Sequence, residues 1–309
     1  MASTANTGPQ PGRGGRPSPF RRDREGVAAG LFLLPNLIGF LIFTAIPVGA
    51  AFALAFYDYD LLLGASFAGL ENFRELLSDE VFRAAFYNTV YFTVVSVPLS
   101  VVLGLATAML VNQALRGVVV FRSIFLLPYV TVTVALSLVW KWIYLPDVGL
   151  INSFLGIFGV DGPAWLTSSV WAMPGLIIMS VWKGFGYNMV LFLAGLQGIP
   201  EHLYDAAKVD GATSWRRFLH VTLPLLSPTT FFVVVISVIS SFQVFDQALI
   251  MTGGGPGTAT TTLVLYIYQR GFQSFEMGYA AAVALVLFAA VFVFTVIQFM
   301  FQRRWVTYD

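Results

Sequence analysis

Residues 204–228 read YDAAKVDGATSWRRFLHVTLPLLSP. The stretch carries Asp205, Lys208, Asp210, Arg216 and Arg217, is interrupted by Gly211 and Pro224, and lies between two long apolar runs. A polar interlude of some twenty residues that then returns to apolar sequence is the pattern of a loop between two membrane crossings. Its interior reads as two short helices. Pro200 precedes Glu201 and an acidic first turn, which suits a helix start. Gly211 supplies the left-handed residue that ends that helix. Thr213 or Ser214 can cap a second helix over 215–221. Pro224 and Pro228 restart the chain, with Ser227 as the expected cap of the next long helix. Ala206 and Ala207 leave a shallow surface, and the surrounding charges suit a wet polar contact. The residues alone fit a docking knob or a tidy connector.

The rest of the chain sets the context. It has 309 residues, 57% of them hydrophobic and 11% charged, where an ordinary soluble domain carries about 25% charged residues. With a strongly positive mean hydropathy, this defines a polytopic membrane class. Net charge is +1, so nothing points to nucleic acid. There is no cysteine, which excludes disulfides, thiolate metal sites and a cysteine nucleophile. Residues 1–25 are rich in Pro, Gly, Ser and Arg and are expected to be a disordered tail, because they hold too little apolar surface to offset ordering entropy.

A membrane-spanning helix needs about 20 mainly apolar residues. Runs with no charge or nearly none fall at roughly 27–57, 84–112, 123–143, 169–199, 225–250 and 278–302. The expectation is therefore an all-α membrane protein. It has a tail (1–25) and a transmembrane domain (26–309) of six transmembrane helices, with a cytoplasmic helix-turn-helix loop at 201–224. Orientation follows from Lys and Arg in the connections. With both termini inside, the inner segments hold Arg13, Arg16, Arg21, Arg22, Arg24, Arg116, Arg122, Lys208, Arg216, Arg217, Arg303 and Arg304. The outer segments hold only Arg74, Arg83, Lys141 and Arg270. Both termini are expected in the cytoplasm. Trp140, Trp142 and Tyr144 read as interfacial anchors.

The loop also carries a spacing. Asp205-Ala206-Ala207, three residues, Gly211, nine residues, then Val221-Thr222-Leu223-Pro224 resembles the EAA loop of permease subunits of binding-protein-dependent ABC importers. Their pattern is Glu-Ala-Ala, three residues, Gly, nine residues, Ile-x-Leu-Pro. Asp for Glu and Val for Ile are the departures. LFLAGLQG ahead of IPEHLYDAAKVDGA, LLP at 126–128 after Arg122, and MTGGGPGTAT at 251–260 are similar to the carbohydrate-uptake branch, of maltose and glycerol-3-phosphate type, and the last of these to its first permease.

The resemblance implies a type-I-like importer domain in a cytoplasmic (inner) membrane, which transports by alternating access. It implies that residues 201–224 dock in a groove of a cytoplasmic ATPase, with Glu201, Asp205, Ala206, Ala207, Asp210, Gly211, Trp215, Arg216, Leu223 and Pro224 as contact positions. It implies as partners a second homologous permease, two ATPase subunits and an external solute-binding protein. ATP and Mg belong to the ATPase chains, and no cofactor, metal or catalytic residue to this one. Gly253 to Thr258 has no lysine and so departs from a P-loop, and it reads as a flexible or tight turn.

Counting depth from the loop places two polar stripes. Ser237, Ser240 and Ser241 share a helix face, and Ser237 lies nine residues past Pro228, about 14 Å along a helix and near the middle of a core of about 30 Å. Ser180, Lys183, Gly184 and Tyr187 share a face of the fourth span, with Asn188 beside them. Together these eight residues are the expected substrate path. Two alternatives stay open: serines also serve as helix-packing glue, and Lys183 can pair structurally or reach toward an interface. A charge within a span costs at least about 2.5 kcal/mol and usually faces a cavity or partner. Rival classes fit less well. A proton- or sodium-coupled carrier would bury carboxylates at mid-depth and show repeats, whereas the spans hold only Asp246, near one end. A membrane enzyme would need a nucleophile with a base, yet His202 and His220 both lie in the loop.

Overall fold

The computed structural model describes residues 19–60, 64–113 and 117–306. The chain divides into two units, Met1–Ala51 and Phe52–Asp309. In the first, α1 (Pro19–Phe40) passes through a π-helical turn at Leu41–Ala45 into α2 (Ile46–Leu54), whose last turn belongs to the second unit. From Gly30 to Ala51 no side chain is buried. Such a helix, apolar on every side, needs lipid or another helix around it. The helix begins at Pro19, inside the stretch expected to be a tail; the remainder of that stretch, 1–18, lies outside the described residues.

The second unit opens with a hairpin that the fold-class expectation lacked. β1 (Tyr57–Asp60) and β2 (Gly64–Phe67) pair antiparallel, Tyr57 opposite Phe67 and Asp60 opposite Gly64. After α3 (Glu71–Ser78), Asp79 caps α4 (Glu80–Val111) by accepting from the backbone N–H groups of Val81 at 2.8 Å and Phe82 at 3.2 Å, which satisfies two of the helix's orphan donors. Next come α5 (Val118–Val130), α6 (Thr133–Ile143), α7 (Leu150–Ile157) and α8 (Ala172–Gln197). The loop segment follows as α9 (Glu201–Val209), α10 (Ser214–Arg217) and α11 (Leu223–Leu225), and it leads into α12 (Ser227–Phe242). The chain closes with α13 (Leu263–Tyr268) and α14 (Met277–Trp305).

Among the described residues, four helical stretches are long and apolar enough to cross a membrane: Gly30–Leu54, Glu80–Val111, Ala172–Gln197 and Met277–Gln302. The count reaches six if two bent pairs each make one crossing. One pair lies in the expected third span, and the other joins the end of the loop segment to the expected fifth. The run at 123–143 is α5 and α6, bent by 97° where Thr131 and Val132 turn extended. Pro128 has already removed one ladder donor there, and the Thr131 hydroxyl donates to the Leu127 carbonyl at 2.8 Å. The run at 225–250 is helical to Phe242, breaks, and is helical again from Asp246 into a π-helical turn at Ala248–Thr252, and the chain bends by 65° where α12 begins. Leu226, not Ser227, holds the N-cap position of α12; Ser227 is its first residue, and its hydroxyl donates back to the Pro224 carbonyl at 2.6 Å.

α4 and α8 pack along each other over the longest interface. Glycine permits the closeness: a Cβ at Gly104 would stand 2.6 Å from that of Asn188, and one at Gly186 would overlap the Phe125 carbonyl on α5. Small residues at such crossings let helices gain dispersion contact where the hydrophobic effect is absent. One core cluster gathers Phe92, Tyr144, Trp165, Leu176 and Met179. Another joins Ala108, Met189, Phe192, Leu226 and Val233 nearer the loop. Tyr144 corrects the expectation of an interfacial anchor: it is fully buried and donates to the Gly175 carbonyl at 2.9 Å, with Trp140 against it. Trp142 alone of the three stays open, at 57% exposure.

Candidate functional site

α8 ends three residues before Pro200, and α12 begins directly beyond the loop segment. Followed away from the loop, the two helices reach a cavity of about 190 Å³ lined also by α4 and by residues Tyr129 and Thr133 at the α5/α6 bend. All eight residues of the expected path, Ser180, Lys183, Gly184, Tyr187, Asn188, Ser237, Ser240 and Ser241, line this one cavity. Their roles differ. The Asn188 amide is buried and donates to the Ser100 hydroxyl at 2.9 Å, tying α8 to α4. Ser241 is buried and bonds Thr93 at 3.0 Å as well as the Val238 carbonyl at 2.8 Å. Ser180 donates to the Leu176 carbonyl at 2.7 Å and accepts from the Gln247 amide at 3.0 Å. These three are engaged in holding helices together. Ser237 and Ser240 have no such bond to the described residues.

Lys183 reaches the Tyr129 carbonyl at 3.4 Å, and its Nζ stands 5.3 Å from the Tyr129 ring centroid. The Tyr129 and Tyr187 rings lie nearly parallel, 4.5 Å apart. Tyr129, Gln247, Ser96, Ser100 and Thr133 also line the cavity and were missed from the sequence. Ser96 and Ser100 are four apart on α4, the spacing that singled out the other stripes. Tyr129 and Gln247 gave no such signal, because each enters through a break in a helix.

The loop segment is a helix, a turn and a short helix. α9 ends in a paired-bond cap: Gly211, at φ 73°, donates to the Lys208 carbonyl at 3.0 Å and Ala212 to the Ala207 carbonyl at 2.9 Å, the bonds that a left-handed residue makes available. Thr213 caps α10 through the Arg216 N–H at 3.4 Å. The second helix departs from its expected 215–221: it spans Ser214–Arg217 and then widens into a π-helical turn, Phe218–Thr222. Lys208 bonds Asp205 at 2.8 Å, and that hydrogen bond and charge hold the Asp205 carboxyl below its ordinary range. Tyr204 and Thr222 share a bond of 3.0 Å. Ala207 and Arg216 line a cleft of about 320 Å³ beside His220 and Val221. Glu201, Asp205, Ala206, Asp210, Gly211, Trp215, Arg216 and Leu223 are exposed and Pro224 half-buried. Trp215 stacks on Phe218.

At the other end of α12 the glycines form a tight turn. Gly253, Gly254 and Gly257 all have positive φ, and Thr260, Thr261 and Thr262 are buried. The Asn88 amide donates to the carbonyls of Thr258 at 2.7 Å and Thr261 at 3.0 Å, and the Leu263 N–H to Thr89 at 2.9 Å. Nearby, Asp79 accepts from the phenols of Tyr266 and Tyr279, the latter at 2.5 Å. Burial works to raise the Asp79 pKa, but these bonds and the two backbone donors outweigh it and hold the carboxyl below its ordinary range. Burial and the bond to Asp79 push the Tyr266 phenol up to about 12.

Apolar helices around a polar cavity, with an exposed capped loop at one end, define a multi-pass membrane transport protein. Residues 89–307 match the family described as binding-protein-dependent transport system inner membrane component, and the chain belongs to that family. It is 38% identical over 291 residues to the probable ABC transporter permease protein YesP of Bacillus subtilis, covering 93% of this chain and 94% of that one. It is 37% identical to the sn-glycerol-3-phosphate transport system permease protein UgpA of Yersinia pestis, covering 90% and 95%, and 36% identical to the trehalose/maltose transport system permease protein MalF of Thermococcus litoralis, covering 91% and 95%. Among solved structures it matches a bacterial ABC transporter involved in the import of the acidic polysaccharide alginate, with a TM-score of 0.81 and 26% identity over 92% of this chain and 98% of that one. The chain is an ABC importer permease, and its relatives are transport permease subunits rather than enzymes.

Proposed function

We propose that this chain is the non-catalytic membrane half of an ATP-driven importer for a sugar, oligosaccharide or sugar-like polyol phosphate. A second homologous permease completes the path, an external solute-binding protein delivers the solute, and two cytoplasmic ATPase chains hold the ATP and Mg. Both termini and residues 201–224 face the cytoplasm. The loop docks on an ATPase through Glu201, Asp205, Ala206, Ala207, Asp210, Gly211, Trp215, Arg216, Leu223 and Pro224. Closure of the ATPase pair then moves the loops and opens the cavity outward. Ser180, Lys183, Gly184, Tyr187, Asn188, Ser237, Ser240 and Ser241 form its wall.

The observation that carries this reading is mechanical. The exposed loop is joined at both ends to helices, α8 and α12, that wall the cavity. A displacement of the loop therefore has a short, stiff route to the polar side chains. A relative's structure holds its transporter with an alginate pentasaccharide-bound periplasmic protein, which supports the external partner. The test is capture of the intact complex from its own membrane, with mass spectrometry of the co-purifying chains. An ATPase and a second permease should accompany the wild type, and the ATPase should be lost with Ala207→Arg and with Gly211→Pro. A chain that comes alone, and transports in vesicles without ATP, overturns the proposal.

A further inference from the structure

The cavity wall sorts into two sets of polar groups. The amides of Asn188 and Gln247 and the hydroxyls of Ser100, Ser180 and Ser241 are engaged with one another or with neighbouring helices. The hydroxyls of Ser96, Thr133, Ser237 and Ser240 make no hydrogen bond to the described residues. Four uncommitted hydroxyls across α4, α6 and α12 are suited to a polyhydroxylated molecule, because each both donates and accepts.

Among the described residues Lys183 is the one charged side chain in the wall. Among the described residues no carboxylate lies within ion-pair distance of it. Its contacts are a long bond to a neutral carbonyl and a ring face. Both solvate a cation, and neither neutralises it. A half-buried positive charge attracts an anion more strongly than one in open water, and a charge-assisted bond is roughly twice as strong as a neutral one. The ammonium also has fewer partners than its three donors allow. Asp246 acts on it through space without forming an ion-pair contact, and a ligand made only of hydroxyls would add no negative charge beside it.

We propose that Lys183 makes this cavity selective for a polyol or sugar that carries an anionic group, a carboxylate or a phosphate, over its uncharged counterpart. The ammonium takes the anion, and the hydroxyls of Ser96, Thr133, Ser237 and Ser240 take the polyol. This rests on the cavity's being the solute path, as proposed above.

The test uses the intact complex, captured with its partner permease and ATPases and placed in lipid nanodiscs without the solute-binding protein. Binding is measured by saturation-transfer NMR for matched probes: glucuronate against glucose, and sn-glycerol-3-phosphate against glycerol. The anionic member of at least one pair should bind about tenfold more tightly, the scale of one charge-assisted bond. Whether the carboxylate or the phosphate pair responds separates the two anions. Lys183→Gln should erase the preference while Lys183→Arg keeps it, and added salt should weaken it. A wild type that binds both members of each pair equally, or binds none of the four, overturns the selectivity. So does a preference that survives in Lys183→Gln. In each of those cases the co-captured ATPase leaves the importer reading standing. Absence of the ATPase from the wild-type preparation removes the importer reading on which the selectivity rests, and overturns both.

Discussion

Two connectors flank α12, and they are built in opposite ways. The one before it, 200–224, is exposed along most of its length, and its side-chain hydrogen bonds stay within the segment: Lys208 to Asp205, Tyr204 to Thr222, Arg217 to Ser214. The one after it, 243–262, buries three consecutive threonines and is bonded to α4 through Asn88, with Thr89 accepting from Leu263 just beyond it. Both use left-handed glycines. One is therefore a self-supporting surface that another protein can engage without dismantling anything. The other is an anchor that fixes the far end of α12 against α4. A helix held at one end and free to be engaged at the other is suited to convey a displacement.

The largest effect that would break this contrast falls on the exposed connector. Trp215 is 66% exposed and stacked on Phe218, the placement of an aromatic anchor. Trp215→Ala should weaken ATPase association by about 2 kcal/mol or more, the scale of an interface hot spot, while the melting temperature of the isolated permease stays unchanged. Quantifying ATPase recovery against thermal unfolding of the same preparation checks both halves. A fall in melting temperature without a fall in recovery would assign Trp215 to this chain's own packing.

The reverse outcome is expected at the anchor. Asn88→Ala leaves the carbonyls of Thr258 and Thr261 without their donor. That should cost about 1–2 kcal/mol of stability and leave ATPase recovery intact, read by thermal unfolding in detergent. Thr213→Ala sharpens the comparison from the exposed side. It removes the cap of α10, worth about 1 kcal/mol, but in a segment that carries little of the global stability. Hydrogen exchange should speed up at the backbone N–H of Arg216 and remain unchanged in α4.

The contrast also explains what was legible in the residues. The loop 201–224 was readable because its information is local: Gly211 and Thr213 act within a turn of their own positions. The polar stripes were readable because helical periodicity and a counted depth need only a straight helix between the loop and Ser237 or Tyr187. Features made by distant partners were not readable. The bend at Thr131 falls in an unbroken apolar run, so hydropathy registers one span. Tyr144 has the composition of an interfacial anchor, and only the fold brings Gly175 and Trp165 to it. Ser241 matches Ser237 in spacing, yet Thr93, across an interface, turns it from wall to fastener.

The smallest effect is a pH dependence confined to the anchored side. Asp79 caps α4 and accepts from Tyr266 on α13 and Tyr279 on α14, so one carboxylate ties three helices. Its folded pKa is depressed, so the carboxylate contributes stability that is fully present above its unfolded value of about 3.9 and is lost as pH falls through the lower folded value. The melting temperatures of the wild type and Asp79→Asn should therefore differ by a constant amount above about pH 4 and converge below it. Convergence beginning near neutral pH would mean that burial outweighs the hydrogen bonds and raises the carboxyl instead. At the alkaline end the Tyr266 phenol, with its pKa pushed up to about 12, should ionise after the exposed tyrosines in an ultraviolet titration. In Asp79→Asn, Tyr266 should titrate earlier, because the carboxylate that opposes its ionisation is gone. The connector at 200–224 should show neither response, since Asp205 is fully exposed and its lysine partner sits in water, where such pairs contribute little.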